Sequence, residues 1–291
     1  MQKGIVISNI SNLYQVETEE DKIYTCNVRG KIKREEISPV TGDIVDIDIV
    51  DENKKVGVIE KIYERRVYIK RPKMANITQI MLVVSMKLPK PDLELLDKQL
   101  AYSEFLKVRP IIILNKIDLE QEEEIDKIYN LYTKIGYKVI KSEAKNDKGI
   151  EEIKKYLKNN ITAFTGNSGV GKSTIINSVI GDKKAEEGNI SNKNKRGKNT
   201  TTQVRLYKLE HNSYIADTPG FSTFEINEID KEELANYFVE FVPFLKGCEY
   251  VDCSHIKEEN CGIKEALKQN KISQERYERY CKIVNKLEKK Y

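Results

Sequence analysis

The chain has 291 residues, of which 39% are hydrophobic and 33% charged, with a formal net charge of +4. Such a length and composition exclude a peptide module and read as a soluble globular protein, with no membrane segment expected. No apolar run approaches the ~20 residues a membrane helix needs, and there is room for about two domains or three small ones. The amino terminus lacks a secretory apolar stretch and the 5 cysteines lie in a long chain, so a cytoplasmic protein without a disulfide framework is expected.

From Gly4 to about Tyr63 short alternating runs are broken by turn residues: Ile5-Val6-Ile7, Lys22 to Val28 and Asp43 to Ile49, with breaks at Arg29-Gly30, Pro39, Thr41-Gly42 and Asp51-Glu52-Asn53. This pattern predicts a small barrel of the oligonucleotide-binding type over residues 1–70, serving either as a binding face or as packing for its neighbour. Lys61, Arg65, Arg66, Lys70, Arg71 and Lys73 form one basic stretch, and Lys193, Lys195, Arg196 and Lys198 another. Each is a candidate phosphate contact or a solvated face.

After Arg71-Pro72 the pattern changes to alternating strand and helix, predicting a doubly wound α/β domain over residues 71–226. Buried strands are expected at Gln79 to Ser85 and Pro110 to Leu114, helices at Asp92 to Lys107, Glu122 to Ile135 and Gly149 to Asn159. A strand at Ile161 to Thr165 feeds a glycine-rich turn. Residues 183–199 are polar, basic and poor in apolar anchors, and Val204 to Leu209 with Ser213 to Asp217 read as a hairpin.

The glycine-rich turn is Gly166-Asn167-Ser168-Gly169-Val170-Gly171-Lys172-Ser173, followed by Thr174. Between a strand and a helix this is a phosphate-binding loop. Its backbone N–H groups face phosphate oxygens, Lys172 neutralises the outer phosphates, and Ser173 is placed to ligate magnesium. Asn115-Lys116-Ile117-Asp118 ends a buried strand and supplies a carboxylate for guanine N1–H and its exocyclic amine. Lys141-Ser142-Glu143-Ala144-Lys145 ends the next strand, where GTPases carry a short loop whose alanine N–H contacts the guanine oxygen; Glu143 stands where serine is usual, so only Ala144 and Lys145 match. Asp217-Thr218-Pro219-Gly220 supplies a carboxylate toward magnesium and a glycine N–H toward the terminal phosphate. Thr201 is the candidate second magnesium ligand. The base-reading sequence precedes the phosphate loop, the order of a circularly permuted GTPase. An ATP-dependent enzyme conflicts with Asp118. Phe221 cannot orient an attacking water, so slow intrinsic hydrolysis is expected.

Beyond Phe224 the chain reads as helical, interrupted by Cys248, Cys253, His255 and Cys261. Three thiols and one imidazole form the ligand set of one closed, structural tetrahedral zinc site, within a helical domain over residues 227–291; disulfides are the alternative. Cys26 and Cys281 read as buried apolar thiols.

The barrel, the motif order, Asp217-Thr218-Pro219-Gly220-Phe221-Ser222 and the Cys-x4-Cys-x-His-x5-Cys spacing together resemble the RsgA (YjeQ/YloQ) family of circularly permuted GTPases across essentially the whole chain. Gly197 to Thr202 and Arg276 to Tyr280 resemble further motifs of that family. The resemblance implies a GTP hydrolase that binds the small ribosomal subunit and its ribosomal RNA late in assembly and is stimulated there. Where the family commonly has histidine before the threonines, this chain has Asn199, which can orient a water but cannot serve as a general base. Lys172, Asn199 and Thr201 are thus the candidate residues for catalysis. A monomer is expected, since no coiled-coil seam is present. The alternative function is a GTP-regulated module that binds another RNA.

Overall fold

Strand β1 (Gln2–Ile10) opens a five-stranded barrel with β2 (Leu13–Thr18), β3 (Ile23–Val28), β4 (Ile44–Asp51) and β5 (Val56–Ile62). The computed structural model describes residues 1–10, 12–30, 38–181, 204–210, 212–217 and 228–288. Its contacts divide it into two compact units.

In the first unit β1 pairs antiparallel with both β2 and β4, β3 pairs parallel with β5, and β4 pairs antiparallel with β5, which closes the barrel. Alternate residues point inward, so Val6, Tyr14, Val16, Tyr24, Cys26, Val45, Ile47 and Ile59 form one buried core. Gly4 sits where β1 and β2 approach closely: a Cβ there would lie 2.6 Å from the Glu17 carbonyl oxygen.

The expected boundary at Arg71-Pro72 falls in the turn of a short hairpin, β6 (Tyr68–Lys70) with β7 (Lys73–Ala75). Farther along the same unit, β12 (Arg205–Glu210) and β13 (Ser213–Asp217) form the predicted hairpin, with Asn212 at a left-handed φ of 57°. Arg205 of β12 pairs with Ser8 of β1, so the barrel sheet continues into the hairpin. Side chains fasten the same junction: Thr41 donates to the Val204 carbonyl at 3.0 Å, and Tyr214 donates to Glu17 at 2.6 Å. Lys208 also pairs with Glu17, at 3.2 Å. Glu17 is itself buried, so these two donors satisfy a carboxylate that would otherwise be desolvated without partners. On its other side β13 runs parallel to β11 (Ile161–Thr165), in the register Ala216 opposite Ala163.

The second unit carries strand order β10-β9-β8, from β8 (Gln79–Ser85), β9 (Arg109–Asn115) and β10 (Lys138–Ser142). Every residue of β8 is buried, which is why it reads as a continuous apolar run. Helices α1 (Leu93–Phe105) and α2 (Glu122–Ile135) connect these strands. Asp92 caps α1, and Gly136 ends α2 at φ 112°. Helix α3 (Ile150–Leu157) precedes β11, and α4 (Lys172–Ile180) follows the glycine-rich turn.

The carboxyl-terminal segment differs from the helical expectation. Before the cysteines its described residues form only 3-10 turns, Leu234–Tyr237 and Val242–Gly247, and α-helix begins with α5 (Gly262–Lys268) and α6 (Gln274–Glu288). Pro243 withholds a backbone donor, and bonds of i to i+3 type link Phe241 to Phe238 and Phe244 to Phe241. Three residues per turn puts these aromatics on one side. Phe238 and Phe241 meet the Tyr280 ring of α6 edge-on, each with centroids 5.1 Å away.

Candidate functional site

The glycine-rich turn leaves the end of β11 and enters α4. Three of its glycines adopt positive φ: Gly166 at 138°, Gly169 at 79° and Gly171 at 100°. Two of them also lack room for a side chain. A Cβ on Gly166 would lie 2.2 Å from the Val83 carbonyl oxygen, and one on Gly171 would lie 2.2 Å from the Asn115 amide nitrogen. Lys172 opens α4 with its ammonium inside the turn, 2.6 Å from the Gly166 carbonyl and 2.8 Å from that of Asn167. Burial lowers its pKa. Ser173 and Thr174 are exposed in the first turn of α4, where unpaired backbone donors and the positive helix end favour an anion.

The base-reading sequence is locked onto this turn. Asn115 donates from Nδ2 to the Val170 carbonyl at 2.8 Å, and Lys116 donates from Nζ to the Gly169 carbonyl at 2.7 Å and to the Leu88 carbonyl. Lys116 adopts φ 61°, which swings the chain into the turn Ile117–Leu119 and leaves Asp118 exposed. The Ala144 N–H, expected to face a guanine oxygen, donates instead to Asn115 Oδ1 at 3.2 Å. Ala144 is buried and Lys145 beside it is exposed. Asn115 therefore ties the base-reading loop, the Ala144 loop and the phosphate loop together with one amide. This arrangement can hold phosphates on the turn and α4 while presenting Asp118 to a base at its flank.

Asp217 is the last described residue of β13, half-buried, and burial raises its pKa. Asn199, Thr201 and Gly220 lie outside the described residues, as do the second basic stretch and Phe221.

Cys248, Cys253, His255 and Cys261 come together as expected: their donor atoms all lie within 4.8 Å of one another. The Cys248 and Cys261 sulfurs are 3.9 Å apart, and each is 3.4 Å from His255 Nδ1. Ligands about 2.3 Å (sulfur) and 2.0 Å (nitrogen) from a tetrahedral ion stand at comparable separations from each other, so the set fits a metal ion. Burial holds the Cys253 thiol up at about 12; a bound cation would favour its thiolate. The segment is braced from outside. Glu258 accepts the Ser254 hydroxyl at 2.8 Å and the N–H groups of Ser254, Ile256 and Lys257, while Tyr277 and Tyr280 of α6 donate to the carbonyls of His255 and Ser254.

The first basic stretch is not uniform. Arg65 forms a two-pronged ion pair with the buried Asp43, both nitrogens at 2.8 Å, so it braces the barrel rather than reaching outward. Lys61, Arg66, Lys70, Arg71 and Lys73 are exposed. Lys61 and Lys3 stand 4.4 and 5.0 Å from the Tyr63 ring centroid. No helix among the described residues is long and apolar enough to cross a membrane.

Sequence reading missed the groups around the motifs. The carbonyls of Val83 and Leu88 belong to no motif, and no sequence signal marks them. Asp92 stood only as the first residue of an expected helix, and nothing marked its contact with the phosphate loop.

Comparison with known proteins places these features in a family. Residues 62–227 match the family described as RsgA GTPase, and residues 3–59 match the RsgA N-terminal domain. A relative from Alkaliphilus metalliredigens is 39% identical over 99% of both chains, and one from Clostridium acetobutylicum is 42% identical over 98% of this chain and 97% of its own. Both are named small ribosomal subunit biogenesis GTPase RsgA. The crystal structure of YjeQ from Thermotoga maritima superposes with a TM-score of 0.85 at 35% identity, covering 98% of each chain. That of YloQ, described as a circularly permuted GTPase, gives 0.83 at 30% identity, over 100% of this chain and 96% of the other.

Proposed function

The chain belongs to the RsgA GTPase family, and on that premise we propose that this GTP hydrolase acts on the small ribosomal subunit during its biogenesis. The observation that carries the nucleotide assignment is the interlock of Asn115 and Lys116 with the carbonyls of Val170 and Gly169, which sets a guanine-type reader against a phosphate loop. In this reading the N–H groups from Gly166 to Thr174 and the Lys172 ammonium hold the phosphates, and Asp118 accepts from guanine N1–H and its amine. Asn115 and Lys116 fix that loop, while Ala144 and Lys145 flank the base. Ser173 and Thr201 would hold magnesium, whose charge would offset that building on the phosphates, with Asp217 near it and Gly220 facing the terminal phosphate.

Lys172 is the side chain assigned to the phosphoryl group in flight, and Asn199 the one assigned to orient water. Phe221 offers the water no hydrogen bond, so slow turnover alone and faster turnover on the ribosome follow. Zinc is the proposed metal of the Cys248, Cys253, His255 and Cys261 set, because three thiolates and an imidazole in a closed tetrahedron suit it and leave no open position. The exposed basic residues of 61–73 support ribosomal RNA as a contact. A division at 1–70, 71–226 and 227–291, a monomeric state and a cytoplasmic location complete the reading.

The test is GTP hydrolysis with purified small subunits, with large subunits and bare RNA as controls. Stimulation by small subunits alone is expected. Tight GTP binding without any stimulation would transfer the protein to the alternative reading, a GTP-regulated binder of another RNA.

A further inference from the structure

One contact of the phosphate loop lies outside every nucleotide motif. Asp92, which caps α1, accepts the Leu95 N–H on Oδ1 at 2.9 Å and the Asn167 side-chain amide on Oδ2 at 3.1 Å. Asn167 is the second residue of the phosphate loop. One carboxylate thus serves two partners: the first turn of a helix and the turn that is to receive phosphate.

The helix it caps is fixed elsewhere along its length. Gln99 donates to Thr165 at 2.9 Å, and Thr165 is the residue directly before the loop. Asp97, fully buried, accepts the Tyr132 hydroxyl at 2.7 Å and guanidinium groups of Arg276 and Arg279 from α6. With α1 held at these points, its amino-terminal carboxylate is presented at a fixed place beside the loop. The loop is then tied on two flanks, by Lys116 at the Gly169 carbonyl and by Asp92 at the Asn167 side chain.

We propose that Asp92 is a positioning residue for the phosphate loop, holding Asn167 so that the turn is set for phosphate before nucleotide arrives. The physical basis is preorganisation. A glycine-rich turn has many accessible backbone states, and a tie to a rigid helix removes conformations that binding would otherwise have to select against. The proposal rests on the phosphate-loop reading above.

The test uses Asp92→Ser, Asn167→Ala and the pair together in the full-length protein. Serine keeps an oxygen for the Leu95 N–H and is too short to reach Asn167. Equilibrium binding of GDP, KM and kcat for GTP, and thermal unfolding are measured for each. Each single variant is expected to weaken GDP binding by about 5-fold, and Asp92→Ser to raise KM for GTP with kcat unchanged, the pattern of lost binding made equally in ground and transition states. The double variant should be no weaker than either single one, because both remove the same contact. Unchanged GDP binding in either single variant, or effects that multiply in the double, would overturn the proposal. So would a defect confined to Asp92→Ser and accompanied by a lower unfolding temperature, which would leave Asp92 as a helix cap. Failure of the unaltered protein to bind GDP or GTP would instead overturn the phosphate-loop reading itself.

Discussion

Arg276 of the last helix and Asp97 of α1 stand 179 residues apart in the chain and are joined by a hydrogen-bonded ion pair in which both side chains are fully buried. Arg276 also pairs with Glu240, and Arg279 pairs with the second oxygen of Asp97 at 2.5 Å. Two cations and two carboxylates therefore balance within the packing of α1 against α6. The Arg276 guanidinium stacks 4.7 Å from the Phe238 ring centroid, so the network is continuous with the aromatic cluster.

Replacing Asp97 with Asn should be strongly destabilising, because Arg276 and Arg279 would lose a buried counter-charge. The expected loss is about 3–5 kcal/mol, the range for breaking a buried pair by removing one partner. Urea unfolding of the full chain measures it, and a change near zero would show that water reaches the network.

Glu17→Gln and Tyr214→Phe should both loosen the junction between the barrel and the β12–β13 hairpin. Removing the Tyr214 hydroxyl takes away a hydrogen bond to a charged group, a loss of about 1.5–3 kcal/mol. The pH dependence has a definite sign. Burial first, and then the Glu17 hydrogen bond, raise the Tyr214 pKa above its ordinary value of 10.0. Its contribution is therefore full below about pH 10 and is lost as pH rises beyond it. The stability gap between the unaltered protein and Tyr214→Phe should be constant from neutral pH to about 10 and shrink above.

Asp118→Asn should exchange an acceptor for a donor at the base edge. GTP binding is expected to fall by at least about 100-fold, with xanthosine triphosphate gaining where GTP loses. Competition against bound GDP reads both, and an equal loss for the two nucleotides would mean that Asp118 does not face the base.

One equivalent of zinc per chain is expected by elemental analysis, falling to none in Cys253→Ala. Glu258→Ala should retain the ligands while losing the carboxylate that gathers the Ser254, Ile256 and Lys257 N–H groups, and should weaken zinc by about 10- to 100-fold against a chromophoric chelator. Unchanged zinc affinity would assign Glu258 to the surface alone.

The motifs were legible in the sequence because their chemistry is local. Gly166 and Gly171 are required by the backbone geometry of one turn, the Lys172 ammonium reaches carbonyls of that same turn, and the spacing of Cys248, Cys253, His255 and Cys261 is short enough for a single loop to gather them. The barrel strands were legible for the same reason, since inward and outward residues alternate along each. The turns before Cys248 were not, because phenylalanines at 238, 241 and 244 fit the third-residue spacing of a 3-10 helix and also satisfy a looser helical pattern.

What the sequence alone determined was which candidate groups the chain carries and their permuted order along it. Only the tertiary structure decided which charges face outward and which are internal braces. Arg65 stood in a basic run and proved to be the partner of Asp43; Arg276 stood in a polar helix and proved to be buried against Asp97. Asp92 read only as the start of a helix, and it both caps that helix and holds Asn167. The reason is distance along the chain. A charge on a helix face has the same local signature whether it meets water or a counter-charge far away in sequence, and only the packing of the chain settles which of the two replaces its hydration.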